Sequence, residues 1–211
     1  VTIPAKNFSE KTMENGIGFD ASNYGYAVVE KSDMVFIPDP DTAVIDPFCQ
    51  IPTLSMTGNA MIIDTPENRP LAQYPRNIGL AAEQYMKDSG VADTMLILPE
   101  FEFYLFDQAG WEVSGREISA FVDAKQSYWN SASEGLGVVV PKQKNYHIAK
   151  PFDVSYECRS EMCMHMLDAG IEINYHHPEV AASGQFEIEP QLGEMVKMAD
   201  ATMMIKYIIH N

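Results

Sequence analysis

Apolar residues recur at helical spacing in three stretches of the chain. Ile78, Ala81, Ala82, Tyr85 and Met86 follow Pro75-Arg76 and run towards Gly90, a second periodic stretch spans 155–168 before Gly170, and Leu192, Met195, Val196, Ala199, Met203 and the run 205–209 make a third. Spacings of three and four gather such residues on one helix face, and a glycine just past the last of them is where a helix stops. Two helices are therefore predicted before Gly90 and Gly170, and a third over 191–211. No Gly or Pro follows the third, so its carbonyls lack a stop signal. With valine rather than methionine at position 1, the chain reads as a piece cut at both ends from a protein roughly twice as long.

Between the helices the pattern changes to short apolar runs bounded by turn residues, which predict strands. Four fall at 26–29, 34–37, 43–45 and 61–63, separated by Pro38-Asp39-Pro40-Asp41 and Thr57-Gly58-Asn59. The polar segment 65–70 then reads as a connector, dividing a small N-terminal β domain (1–64) from a larger domain (65–211). In the latter, 94–106 reads as one long buried strand and 171–175 as another, feeding HHPEVAASGQFEIEP. Residues 108–150 lack a clear period and are too long for an ordinary connector, which suggests a functional flap. Alternating helices and strands after an all-β start give an α+β fold.

Carboxylates add chemistry to this outline. Glu100 and Glu102 are two apart in an apolar run and so project from one face of a strand. Two like charges held close where water is scarce force one to protonate unless a cation neutralises them, and an all-oxygen ligand set favours Mg²⁺ or Mn²⁺. Glu179 and Glu187 offer further oxygens from a second pair of strands. His176 and His177 are neighbours, so in a strand they face opposite ways and only one can join the same site.

Charge and composition narrow the classes. A net charge of −16 argues against nucleic acid, whose phosphates it would repel. No apolar run reaches the roughly 18–20 residues of a membrane helix, and no signal-peptide pattern opens the chain. Cys49, Cys158 and Cys163 are an odd set without metal-ligand spacing, as expected for reduced thiols in the cytoplasm.

Several stretches together resemble the glutamine synthetases of the bacterial type I kind: VTIPA, GIGFDAS around Asp20, SDMVFIPDPDTAVIDPF, ADTMLILPEFEFYLFD, YWNS at Tyr128, RSEMC at Arg159, HHPEVAASGQFEI and KYIIHN. They follow the family's order over almost the whole chain. The resemblance implies a β-grasp N-terminal domain followed by the first part of a catalytic α/β domain. It implies ATP-dependent ligation of ammonia to the γ-carboxylate of glutamate through γ-glutamyl phosphate, with Mg²⁺ or Mn²⁺, in a cytoplasmic dodecameric double ring. By position, Glu102, Glu179 and Glu187 match the ligands of one ion, and Glu100 matches one ligand of a second, whose other ligands lie beyond Asn211. His177 matches a substrate-binding position and His176 a packing one. Tyr146 matches a tyrosine beside the ammonium site. Asp20 matches an aspartate that reaches a neighbouring subunit and, with Glu179, binds and deprotonates ammonium. With half of one metal site missing, this stretch alone is expected to be inactive.

The chain departs from the family pattern at the loop Asp20-Ala21-Ser22-Asn23, at Lys144-Asn145, at Asn174 and at Pro178. These surround the amine and nucleotide positions and leave the metal carboxylates intact. A ligase for a larger amine, and a non-catalytic relative with a regulatory or structural role, therefore stand as alternatives.

Overall fold

The computed structural model describes residues 1–130 and 139–211, which pack as two compact units, Val1–Ile97 with Leu192–Asn211, and Leu98–Gln191. In chain order the elements are α1 (Glu10–Asn15), β1 (Ile17–Asp20), β2 (Asp33–Pro38), β3 (Val44–Ile45), β4 (Leu54–Ser55), β5 (Gly58–Ile62), β6 (Arg69–Pro70), α2 (Pro75–Asp88) and β7 (Leu96–Ile97). There follow β8 (Phe101–Tyr104), β9 (Gln108–Val113), β10 (Ile118–Asp123), α3 (Tyr156–Asp168), β11 (Ile173–Pro178), β12 (Gln185–Pro190), β13 (Gly193–Glu194) and α4 (Met195–His210).

The first unit is built on an antiparallel sheet in the order β1-β2-β5-β6. Ala21, Met34, Ala60 and Leu71 form its buried centre, with Phe19, Tyr26, Ala27, Ile62 and Tyr74 packed around them. Helix α2 starts at Pro75, where a missing N–H costs nothing. Asn77, inside its first turn, donates to the carbonyls of Ala60 (2.7 Å) and Leu71 (3.0 Å), fastening the helix to the sheet edge. Arg76 spreads its guanidinium over Asp39, Asn59 and Asp200, so one side chain ties β5, α4 and the turn after β2. Helix α4 buries Val196, Met198, Ile205 and Ile208, and Glu83 accepts from its Val196 N–H.

The second unit carries the sheet β11-β12-β8, all antiparallel, with α3 packed on β11. Phe186 and Ile188 point to the helix side of β12, where Arg159 of α3 lies over the Phe186 ring at 4.4 Å. Arg159 is 1 % exposed and pairs with Asp153, 5 % exposed, through two hydrogen bonds of 2.9 and 2.6 Å. Cys163 is buried on the same helix, and burial pushes its thiol up to about 11, an unreactive thiol; Cys49 and Cys158 are exposed and free.

Four sequence expectations need correction. The stretch 94–106 is not one buried strand: Pro99, with no N–H to give a ladder, separates β7, which pairs with β13, from β8, which pairs with β12, and Met95, Leu96 and Leu98 are exposed. Glu100 accordingly sits just ahead of β8 rather than inside it. Residues 26–29 form no strand; a single 3₁₀ turn begins at Val29, and Val28 and Val29 are exposed. The strand that does open the sheet, β1, ends on Asp20, which the sequence placed in a loop. Residues 108–123 are a regular hairpin, β9 with β10, rather than irregular chain. The flap expectation also covers 131–138, outside the described residues. No helix among the described residues is long and apolar enough to cross a membrane.

Candidate functional site

Antiparallel pairing puts directly opposed residues on the same face, and the register of β11-β12-β8 therefore arranges side chains in rows. His177, Glu187 and Glu102 make one row. Tyr175 and Glu189 make the next, and one step beyond the paired register Glu100 falls opposite Glu189. On β12 itself Gln185, Glu187 and Glu189 share this face by alternation, away from Phe186 and Ile188. Glu179 immediately follows β11, and its N–H donates to the Gln185 carbonyl.

Two overlapping groups of ligand atoms result, each with all atoms within 4.8 Å of one another: His177, Glu179 and Glu187; and Glu100, Glu187 and Glu189. Two unit charges at that distance repel by roughly 3 kcal/mol at an effective dielectric of about 20. Glu187 belongs to both groups, is 9 % exposed, and accepts no hydrogen bond among the described residues; the nearest basic atom is His177 Nε2 at 3.6 Å. Loss of water and the neighbouring Glu100, Glu179 and Glu102 carboxylates push its carboxyl above the usual range, against the pull of His177. A buried carboxylate left without a donor among other carboxylates fits a divalent cation, and an oxygen-rich set with one imidazole suits Mg²⁺ or Mn²⁺.

Glu102 lies opposite Glu187, but its Oε2 accepts from Gln185 Nε2 at 2.8 Å. Gln185 Oε1 in turn accepts from the Ala181 N–H at 2.7 Å, so this one amide ties Glu102 to the turn that carries Glu179. The turn closes at Gly184, whose φ of +88° and distance to the Leu105 carbonyl, 2.6 Å from where a Cβ would stand, admit no side chain. Asn145 fastens it from outside, donating to the carbonyls of Glu179 and Gln185 at 2.9 Å each.

His177 Nδ1 is 3.1 Å from the Pro178 carbonyl. With the proton there, Nε2 faces Glu187 as a lone pair. The ring contacts Tyr146 edge-on at 5.5 Å and His147 at 4.3 Å, with Tyr146 itself 56 % exposed. His176 faces the other way, its Nδ1 accepting from Arg159 Nε at 3.3 Å. Asp20 belongs to the first unit, where its carboxylate caps a 3₁₀ turn by accepting from the Ser22 N–H and hydroxyl and from Asn23. The Ser22 hydrogen bonds hold its carboxyl below the usual range.

Sequence reading passed over Glu189, Gln185 and His147. The period of two in Gln185-Phe186-Glu187-Ile188-Glu189 would have placed the first two on the carboxylate face, whereas nothing local distinguishes His147.

His176 gives a pH signature. Burial and the Arg159 charge lower its pKa below the ordinary imidazole value near 6.5. The unfolded chain thus binds this proton more readily than the folded one, so the stability His176 contributes is fully present above pH 6.5 and is lost as pH falls through the folded pKa. Thermal melts of the wild type and His176→Gln from pH 7.5 to 5 should diverge in slope, the wild type losing more on acidification. Parallel curves would contradict this.

The family model for the glutamine synthetase β-grasp domain matches residues 1–62, and that for the glutamine synthetase catalytic domain matches residues 72–211. Among relatives, a glutamine synthetase of Pasteurella multocida is 37 % identical over 216 residues, covering 100 % of this chain and 45 % of that protein. A 3-hydroxylaminophenol mutase of Cupriavidus pinatubonensis is 35 % identical over the same span and also covered to 45 %. The glutamine synthetase structure of Plasmodium falciparum superposes with a TM-score of 0.82 at 22 % identity, over 98 % of this chain and 41 % of that one, which speaks to the fold. The chain spans a little under half the length of the relatives it matches. With both family models matched in order along an α+β chain of β-grasp and catalytic parts, the chain belongs to the glutamine synthetase family.

Proposed function

We propose that the protein containing this chain is a cytoplasmic glutamine synthetase that joins ammonia to the γ-carboxylate of glutamate with ATP, through γ-glutamyl phosphate. The observation that carries the reading is Glu187, a buried carboxylate with no hydrogen-bond donor among the described residues, set among Glu100, Glu102, Glu179 and His177. Glu100, Glu102, Glu179 and Glu187 would hold Mg²⁺ or Mn²⁺, which would supply neutralisation of phosphate and carboxylate charge. The chain's own residues do the rest. His177 orients the substrate glutamate, and Glu179 attracts ammonium and takes its proton, so that a free amine lone pair can attack. Asp20, on a different compact unit, joins this step from a neighbouring copy, and Tyr146 closes the amine pocket. A shared site of that kind requires a homo-oligomer, and the family resemblance makes it a ring.

A larger amine is the second reading, favoured by Asn174 and Pro178 beside the carboxylates and by a relative of different name at nearly the same identity. One assay separates the readings. The intact protein is incubated with ATP, glutamate, Mn²⁺ and, in parallel, ammonium and primary amines of increasing length, and the products are weighed by mass spectrometry. Glutamine as the dominant product is expected. A longer γ-glutamyl amide in its place moves the assignment to the second reading, and no amide with any amine leaves a non-catalytic family member.

A further inference from the structure

We infer that a cavity on the helix side of the β11-β12-β8 sheet binds a free α-amino acid with a short, uncharged polar side chain. It lies wholly within the second unit, against Phe186 and so behind the carboxylate face, and it does not depend on the reaction assigned above. About 210 Å³ lies between the chain leaving β8, the chain leaving β10, the Ser183-Gly184 turn and the approach to α3. That is several times the ~30 Å³ share of one water and below the roughly 300 Å³ at which drug-sized sites begin, which suits a small metabolite.

The polar groups lining it are unmatched. Gln126 is 6 % exposed and Ser183 4 %, yet neither side chain makes a hydrogen bond among the described residues. Among those residues the unpartnered side-chain groups that are shut off completely are the Thr57 and Ser127 hydroxyls, so Gln126 and Ser183 keep what access they have towards the cavity they line. Buried amides and hydroxyls without partners are costly, and a ligand side chain that both donates and accepts satisfies them. At the mouth stand Asp107 and Lys125, both exposed. Asp107 accepts from the Lys125 N–H at 2.7 Å, but the Lys125 ammonium pairs with no carboxylate among the described residues. Opposite charges side by side that leave each other unneutralised suit a zwitterion, its ammonium on Asp107 and its carboxylate on Lys125. A third charge finds no match inside, because the lining Asp153 is already taken up by both terminal nitrogens of Arg159. The cavity also backs the turn that carries Glu179: Asn145, which lines it, donates to the Glu179 and Gln185 carbonyls, so a ligand on Ser183 would brace that turn from behind.

The test is calorimetric titration of the intact protein with L-serine and with L-serinamide, which lacks the carboxylate, with circular dichroism as a check on folding. Wild type is expected to bind L-serine, and Glu179→Ala, altered only on the carboxylate face, to retain a serine site of the same affinity. Asp107→Asn should weaken that site about 10–100-fold, since it removes a charged hydrogen-bond partner, and Gln126→Leu, which keeps the bulk and removes the amide, about 2–10-fold. L-Serinamide should bind wild type about 10-fold more weakly than L-serine. Serine binding that Glu179→Ala abolishes and Asp107→Asn leaves intact puts the amino acid on the carboxylate face and overturns the inference, as does a wild type that takes up no L-serine at millimolar concentration. Equal affinity for L-serine and its amide overturns recognition of a zwitterion. Should Gln126→Leu fail to fold, Lys125→Gln, at an exposed position, should weaken L-serine and leave L-serinamide unchanged; unaltered serine affinity there overturns the inference.

Discussion

Glu187→Ala should abolish the thermal stabilisation that Mn²⁺ confers on the protein. A ligand present at about 100 times its dissociation constant stabilises the folded state by roughly 2.7 kcal/mol, and Glu187 is the one carboxylate common to both ligand groups. Its loss therefore removes a ligand from each position at once, where Glu179→Ala or Glu100→Ala removes one. Without metal the substitution should cost little, because Glu187 makes no hydrogen bond among the described residues and its removal relieves repulsion from Glu100, Glu179 and Glu102. A metal-free melting temperature equal to or above that of the wild type, with no rise on adding Mn²⁺, is the expected pair of results. A Mn²⁺-dependent rise that survives in Glu187→Ala would place the ion elsewhere.

The second large effect lies on the opposite face of the sheet. Arg159→Ala leaves Asp153 buried without its partner, and breaking such a pair from one side costs about 3–5 kcal/mol. It also strips the cation from the Phe186 ring and the donor from His176. A fall in melting temperature of roughly 10 °C or more follows for a chain of this size. The double change Arg159→Met with Asp153→Leu should recover most of that loss, since an apolar pair of similar volume removes both desolvated charges. A single variant as stable as wild type in denaturant melts would show that the pair contributes nothing.

The helices were legible because each combines a three-and-four period with a stop: α2 and α3 end where Gly90 and Gly170 take positive φ. The β region was legible only where burial imposes alternation. Met34 and Ala60 are buried and their strands were found, but β9 and β10 expose residues on both faces, Trp111, Val113, Ile118 and Phe121 among them, so no period of two marks that hairpin. The break at Pro99 was visible as a residue and outweighed by the apolar run around it. Glu100, Glu102, Glu179, Glu187 and His177 stood out as candidates through the spacing of charges in strands and through resemblance, and of these Glu102 falls outside both ligand groups. Their grouping was not legible, because it depends on pairing register: only β11-β12-β8 contacts decide that Glu189 joins Glu187 and that Gln185 occupies Glu102.

The central claim is that this sheet face holds divalent ions through Glu187. Anomalous diffraction at the manganese edge from crystals of the intact protein grown with Mn²⁺ tests it most directly. A peak at roughly 2.0–2.6 Å from a Glu187 oxygen, with Glu179, Glu102 or Glu100 completing its ligands, is the predicted result. Crystals grown with Mn²⁺ whose manganese peaks all lie away from Glu187 would contradict it.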